Sequence, residues 1–447
     1  MKKKYYIQTF GCQMNVHDSE QISAMLASAG HEHTRNAANA DYIILNTCSI
    51  REKAAQKAYS QLGRFRELKR KNPRLVIGVG GCLAQQLGET FIKKAPYLDM
   101  VFGTRNFHRL PELIRVAETT CLPVVETVLT GSAEYNGTFA AAPQSGQVSA
   151  YVTIMWGCDN FCAYCVVPYL RGGEESRKTG DIIAEVEHLA AQGVKEVTLL
   201  GQNVNSYGKG LSDGTDFAGL LRKVNRIKGI ERIRFTTSHP KDLSPDLIRC
   251  YAEVDKLCEH IHLPVQSGSD MVLMRMNRGY TKDEYIEKAI RLREVCPNIS
   301  ITSDMIVGFP GETDDDFQAS VDLMEHIRFD SLFSFKYSER EGTAATDFDC
   351  KISEHIKGER LQILQALQDT HTWGKNKEME GQVVEVLVEG KSKNSPGDVM
   401  GRTRTNKIVN LEGGSELVGG TTSVVITMAC QHSLRGELVS KKETGRC

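Results

Sequence analysis

Residues 156–177 read WGCDNFCAYCVVPYLRGGEESR and place Cys158, Cys162 and Cys165 in a C-x3-C-x2-C spacing. Three thiolates this close on one loop can hold three corners of an iron–sulfur cube, which takes four Cys ligands when it only carries electrons. One iron is then left open for another ligand. A structural zinc site is the alternative, and it calls for a fourth Cys or His nearby; none lies close in sequence. Phe161 and Tyr164, inside the loop, suit shielding a cluster from water.

Working outward, Ala150–Met155 reads as the strand that delivers this loop. Further strands at Glu196–Leu200, Arg232–Thr237, His260–Val265, Ser300–Val307 and Ser331–Tyr337 alternate with helices, one of them opened by a Thr281-x-x-Glu284 capping box. Six βα units predict a partial, TIM-like (β/α)6 barrel over residues 148–372. Most strands run into a polar or Gly-rich loop: GQNVNSYG (201–208), SHP (238–240), QSGSD (266–270) and GFPGET (308–313). Barrel chemistry sits at the C-terminal ends of strands, so these loops should surround the cysteine loop. Tyr164, Gln202, Asn203, Ser238 and Gln266 are the candidate cofactor contacts. Arg177 could clamp a ligand carboxylate in a bidentate pair, or form only a surface ion pair with Glu174 and Glu175.

Residues 1–127 predict a doubly wound α/β domain, with buried strands at Tyr5–Thr9, Tyr42–Asn46 and Leu75–Val79 and helices near Ser19–Ala29 and Arg51–Lys71. Cys12, Cys48 and Cys82 follow the three strands in turn. In a parallel sheet those ends share the edge where open α/β folds place ligands. Three cysteines from three loops would converge there as ligands of a second iron–sulfur cluster; three simply buried thiols are the plainer alternative. Arg51–Arg74 carries nine Lys or Arg against Glu52 and Glu67, a net of +7. Lys57, Arg64 and Lys71 recur on one helix face, and with Arg51 and Lys53 they suit phosphates.

The 447 residues are 40% apolar and 25% charged with a net charge of −1, which describes a globular chain and argues against a generally basic nucleic-acid coat. No run of eighteen apolar residues occurs, so no membrane span is expected and the cytoplasm is the expected compartment. Thirteen cysteines in a reducing compartment fit metal or redox chemistry better than a disulfide framework. Residues 128–147 turn to Gly, Ser, Ala and Pro without periodicity and read as a linker. Beyond a polar helical stretch ending near Glu380, short alternating strands predict a small antiparallel β-barrel carrying Arg402, Arg404, Lys407 and Arg435 as candidate RNA contacts.

Taken together, QTFGCQMNVHDSE (8–20), NTCSIREKA (46–54), GGC (80–82), GCDNFCAYCVVPYLRGGEESR (157–177), HLPVQSGSD (262–270), DMIVGFPGET (304–313) and HSLRGE (432–437) resemble the radical S-adenosylmethionine (SAM) methylthiotransferases over all three domains. The resemblance is closest to the branch acting on isopentenyladenosine of tRNA. It implies a methylthiotransferase domain (1–127), a linker (128–147), a radical-SAM domain (148–372) and a C-terminal TRAM domain (373–440) that grips tRNA. It implies two 4Fe–4S clusters and SAM, with C2 of N6-isopentenyladenosine beside the anticodon as target. One SAM would methylate a sulfur held on the Cys12/Cys48/Cys82 cluster. A second, cleaved at the Cys158/Cys162/Cys165 cluster, would yield the radical that activates C2.

The implied partners are the tRNA anticodon stem-loop, an electron donor such as flavodoxin or ferredoxin, and a sulfur or cluster-repair carrier; the implied state is a monomer. Rival branches act on threonylcarbamoyladenosine of tRNA or on a ribosomal-protein aspartate, but NTCSIREKA and VVPYLRGGEESR favour the isopentenyladenosine branch. A non-catalytic iron–sulfur RNA sensor would need one exposed cluster and no SAM loops. Gly173, where a basic residue is expected, and Cys430, where a charged one is common, depart from the pattern and bear only on local RNA contacts. Because neither cluster touches the C-terminal barrel, its removal after about Glu380 should weaken tRNA binding yet spare SAM cleavage.

Overall fold

The structure, a computed structural model, describes residues 2–49, 52–120, 122–129, 146–392 and 395–439, without the side chains of 52–54. Arg51, the side chain of Lys53 and most of the expected linker lie outside the described residues. The chain forms two compact units. The N-terminal unit takes in Trp156–Asp159 and Val166–Glu174, whereas Asn160–Cys165 and the chain from Glu175 on belong to the second.

The N-terminal unit is a six-stranded parallel sheet: β1 (Lys4–Thr9), β2 (Glu32–His33), β3 (Tyr42–Thr47), β4 (Val76–Gly81), β5 (Met100–Phe102) and β6 (Val124–Glu126). Its order is β2-β1-β3-β4-β5-β6, so the chain reverses direction across the sheet beside β1, where such folds bind ligands. β3 and β4 are buried along their whole length, as strands covered on both faces must be. Ile22, Met25 and Leu26 of the helix Gln13–Ser28 cover one face with Leu110 and Leu113. Ala58, Leu62 and Phe65 of the helix Glu52–Lys71 cover the other. β2, β5 and β6 escape sequence reading because two or three residues are too short for a periodicity to register.

The second unit carries all six expected parallel strands: β7 (Ser149–Thr153), β8 (Glu196–Leu200), β9 (Arg232–Phe235), β10 (His260–His262), β11 (Ser300–Val307) and β12 (Ser331–Lys336). β7-β8-β9 and β10-β11-β12 form two ladders, joined by a parallel bridge from Ile233 to Leu257. Val197, Leu199, Ile233, Phe235, Ile261, Met305 and Val307 face the surrounding helices in one core. Alternation therefore turns Glu196, Arg234, His260, His262 and Thr302 into the lumen. The capping box at Thr281 and Glu284 is present.

Five strands, β13 (Val383–Lys391), β14 (Asp398–Thr403), β15 (Ile408–Glu412), β16 (Thr421–Ala429) and β17 (Leu434–Leu438), close a C-terminal barrel. Its β14–β15 hairpin sits against the N-terminal ends of the (β/α)6 strands. Arg232, buried at the start of β9, donates from Nη1 to the Arg402 carbonyl (2.6 Å) and from Nη2 to Glu385 Oε1 (2.9 Å). Arg234 donates to Glu196 (2.9 Å) and to the carbonyls of Thr403 (2.7 Å) and Arg404 (3.0 Å). Arg404 in turn donates from Nε to Glu259 (2.9 Å) and from Nη2 to the Leu257 carbonyl (2.7 Å). Lys407 donates to Asn376 Oδ1 at 2.8 Å.

This docking argues against the expectation that removal of the C-terminal barrel leaves SAM cleavage largely intact. A chain ending near Glu380 leaves two buried guanidinium groups without their carbonyl acceptors, and each unmet charged donor costs more than a neutral one. The truncated protein should therefore unfold at lower temperature and lose SAM cleavage along with tRNA binding. Arg234→Met, which strands Glu196 in the lumen, should cost about 3–5 kcal/mol by urea titration.

A pH dependence follows from the same lumen. Burial, with Arg234 next in order, holds His260 well below its ordinary pKa. The folded protein keeps this ring neutral, so the unfolded chain binds a proton that the folded one refuses below about pH 6.5. Stability is lost as pH falls through that value, by up to about 1.4 kcal/mol per pH unit. His260→Gln should give a shallower loss of urea midpoint between pH 7 and pH 5 than the parent chain.

Candidate active site and its two cysteine groups

In the N-terminal unit, Cys12 caps the helix Gln13–Ser28, Cys48 follows β3, and Cys82 opens the helix Cys82–Leu87 at the end of β4. A buried polar network ties these loops together. Asn15 Nδ2 donates to Asn46 Oδ1 (3.1 Å), Asn46 Nδ2 returns a bond to the Asn15 carbonyl (2.9 Å), and Thr47 Oγ1 donates to the Gly80 carbonyl (2.6 Å). Asn15 Oδ1 accepts from the Cys12 amide at 3.2 Å. Gly81 adopts φ +91°, and a Cβ there would lie 2.3 Å from the Thr47 carbonyl oxygen, so only glycine lets the third loop close on the second.

Cys48 is 1% exposed and Cys82 is buried beside Val166 and Leu170. Arg171, itself buried, lies 3.4 Å from Asp18 Oδ2, and its charge acts on the Cys82 thiol. Burial pushes the Cys82 thiol above its ordinary pKa, and the Arg171 guanidinium pulls the other way. Among the described residues no three His, Cys, Asp or Glu side chains gather closely enough for a single metal ion.

Cys158 donates its amide to the Gly172 carbonyl at 3.1 Å. Gly157, at φ +72°, could carry no side chain there, because a Cβ would meet the Gly173 carbonyl oxygen at 1.9 Å. In the second unit the Cys165 amide donates to the Cys162 carbonyl (2.9 Å), and Ala163 donates to Met276 (2.9 Å). Arg278, buried, donates to Cys162 Sγ (3.3 Å), to the Tyr164 hydroxyl (3.4 Å) and to the Pro264 carbonyl (2.7 Å). Asn277 Nδ2 holds the carbonyls of Asn160 (3.2 Å) and Phe161 (3.1 Å).

At the C-terminal ends of β8 and β9 the loops are cross-linked: Asn203 Nδ2 donates to Asp242 (2.7 Å) and Asn205 Nδ2 to the His239 carbonyl (3.3 Å). Asn203 Oδ1, Asn205 Oδ1, Ser238 Oγ and His239 Nε2 are buried here with no hydrogen-bond partner among the described residues. Buried polar atoms in native proteins are nearly always satisfied, so four in linked loops leave donors and acceptors for a bound ligand or water. Burial, reinforced by Arg278, lowers His239 to a pKa of about 2. Its Nδ1 accepts the Lys241 amide at 3.2 Å, so neutral His239 presents Nε2–H as a donor. Phe161 (φ 44°) in the cysteine loop, Thr237 (70°) after β9 and Gln266 (75°) after β10 hold left-handed backbone. Such strain persists where function demands it.

Of the expected contacts, Asn203, Ser238 and Gln266 lie buried at strand ends and Gln202 is partly exposed there. Tyr164 shares Arg278 with Cys162. Arg177 is buried and donates from Nη1 to Glu185 Oε2 (2.7 Å). Lys57 and Arg64 point outward from the basic helix. Arg402 pairs with Glu389 (3.2 Å), Arg404 with Glu259 and Arg435 with Asp398 (2.9 Å). Arg171, Arg278 and His239 are absent from the sequence reading. Arg171 and His239 lie inside the cysteine stretch and the SHP loop, whereas nothing in the local sequence signals Arg278.

Residues 4–103 match the Uncharacterized protein family UPF0004, residues 152–324 the Radical SAM superfamily and residues 377–439 the TRAM domain. A tRNA-2-methylthio-N(6)-dimethylallyladenosine synthase of Syntrophus aciditrophicus is 62% identical over 99% of this chain and 95% of its own length. The chain belongs to the family of these synthases. The synthase of Geobacter metallireducens is 52% identical over 98% of each chain. A radical S-adenosylmethionine methyltransferase from Kitasatospora setae, solved with cobalamin and a 4Fe–4S cluster bound, shares the fold at a TM-score of 0.57 and 14% identity over 77% of each chain.

Both cysteine groups of this synthase-family chain can be separated by iron analysis. Replacing Cys158, Cys162 and Cys165 with Ala should leave about half the iron and abolish SAM cleavage, since electron delivery needs that cluster. Replacing Cys12, Cys48 and Cys82 should also halve the iron but keep SAM cleavage. Unchanged iron in either variant would reject the assignment. Cys250, Cys258 and Cys296 are buried free thiols and should be dispensable, as should Cys350 and Cys430; Cys121 and Cys447 lie outside the described residues.

Proposed function

We propose that the protein methylthiolates C2 of N6-isopentenyladenosine beside the anticodon of tRNA. The observation that carries this reading is identity of 62% along nearly the whole chain with a synthase of that name, together with both cysteine groups at their strand ends. C2 of adenine bears a strong C–H bond without useful acidity, so no side-chain base at protein pKa values can remove its proton. Cys158, Cys162 and Cys165 would hold the cluster at which SAM would supply radical chemistry strong enough for that bond, and Cys12, Cys48 and Cys82 would hold the cluster that would supply the sulfur.

The chain's own residues bind, orient and screen. Asn203, Asn205, Ser238 and His239 offer unmet polar atoms to SAM, and Gln266 and Tyr164 border the same strand ends. Arg278 sets a fixed positive charge against Cys162, and Arg171 does so against Cys82. Lys57, with Arg51 and Lys53, is suited to phosphates of the anticodon arm. Arg402, Arg404 and Lys407 spend their donors inside the protein, which leaves Arg435, half exposed beside Asp398, as the barrel's stronger candidate for RNA.

A flavodoxin or ferredoxin class of donor, a sulfur or cluster-repair carrier, a monomeric state and the cytoplasm complete the proposal. No helix among the described residues is long and apolar enough to cross a membrane.

Nucleoside mass spectrometry of tRNA incubated with reconstituted protein, SAM and a reductant tests the reading. The expected product is 2-methylthio-N6-isopentenyladenosine, formed at least roughly tenfold faster than any product from tRNA lacking the isopentenyl group. Methylthiolation of threonylcarbamoyladenosine instead would assign the protein to a rival branch.

A further inference from the structure

The lumen of the (β/α)6 barrel is polar at its base, where Glu196 pairs with Arg234 and His260 Nε2 lies 3.2 Å from Thr302 Oγ1. The last strand breaks this pattern. In the parallel β11–β12 pair, Asp304 stands beside Phe333 and Ile306 beside Phe335, whereas Met305 stands beside Ser334. Met305 and Val307 belong to the helix-side core, so Asp304, Ile306, Phe333 and Phe335 share the lumen face. The His262 ring meets Phe333 edge-on at 6.3 Å, and its Nε2 is 3.5 Å from Asp304 Oδ1.

Phe333 is 52% exposed and Phe335 40%; among the described residues the only other exposed phenylalanine is Phe161, in the cysteine loop. An apolar pair of rings two residues apart, left open to a polar well, has no packing role that the fold itself supplies. Phe335 lies near the C-terminal end of its strand, the end at which barrels bind their reactants. A planar ligand with an apolar substituent fits such a surface, and unpaired anticodon-loop bases are read by stacking on aromatic side chains.

We propose that Phe333 and Phe335 form the platform on which the target purine and its isopentenyl group lie. The proposal rests on the isopentenyladenosine reading above and assigns its substrate subsite. Stacked rings hold the base flat within the lumen, and the apolar face rewards the isopentenyl group.

Fluorescence anisotropy of labelled anticodon stem-loops, isopentenylated and unmodified, on reconstituted protein with SAM tests the platform. Phe333→Leu and Phe335→Leu keep apolar volume and remove the ring. Each should weaken binding of the isopentenylated loop by about 5- to 150-fold, the range that stacking contributes per base. Phe→Tyr at the same positions should restore most of the affinity, which a residue serving only as packing would not require. Unchanged affinity in both Leu variants overturns the proposal. A loss confined to SAM affinity also overturns it, by placing the SAM adenine on these rings. If the parent protein binds and modifies the isopentenylated loop no better than the unmodified one, the isopentenyladenosine reading fails first and the platform with it.

Discussion

Each cysteine group has a buried guanidinium against one of its thiols: Arg171 against Cys82, and Arg278 against Cys162. Thiolate-bound iron–sulfur clusters depend on net charge and on hydrogen bonds to sulfur, and negative charge in a dry environment is costly unless a cation is fixed beside it. A buried Arg is equally costly alone. Asp18 shares the burden for Arg171, whereas Arg278 is held by neutral acceptors, Pro264 and the tyrosine hydroxyls. Arg171 therefore brings a balanced pair, and Arg278 brings a net positive charge to Cys162.

Residues 158–177 connect these arrangements through the chain itself. Cys165 is followed at once by Val166, which packs on Cys82, and the short helix Val167–Arg171 then delivers the guanidinium. One continuous stretch thus contains one cysteine group and supplies an apolar wall and a buried guanidinium beside Cys82 of the other. Around Cys12, Cys48 and Cys82 the side chains of Asn15, Asn46 and Thr47 tie the loops to one another, while Ser49 Oγ and both ring nitrogens of His17 are buried without a partner among the described residues. At the ends of β8 and β9 the loops are tied to one another but leave acceptors and a donor unmet, the condition of a site completed by what it binds.

Most of the fold was legible in the sequence because cysteine spacing, strand-end motifs and apolar runs are local signals. Cys158, Cys162 and Cys165 share one loop, and β3 and β4 announce themselves by unbroken apolar residues. What stayed hidden acts across long separations. Arg278 meets Cys162 from 116 residues away, and Arg404 meets Glu259 from 145. A basic residue on a barrel strand looks the same whether it faces phosphate or a carboxylate of its own chain, so composition alone could not divide Arg404 and Lys407 from Arg435. Phe333 and Phe335 were missed for the opposite reason. Alternating Phe in a strand reads as core, and only the register with β11 shows that their face is the lumen.

The position of the C-terminal barrel then limits what it can contribute to recognition. Its hairpin closes the N-terminal ends of β9 and β10, while the SAM loops and the cysteine loop lie at the other end of the strands. With β11 eight residues long, the two ends are about 25 Å apart at 3.3 Å per residue. No side chain of the hairpin spans that distance, so the hairpin's basic residues stay at the base of the strands. Contacts made there to an RNA backbone would set register and orientation but carry no sequence information. Choice of the base would then fall to residues nearer the loops. The hairpin serves that choice indirectly, because the arginines it satisfies at the base of β9 hold in place the strands that present those loops.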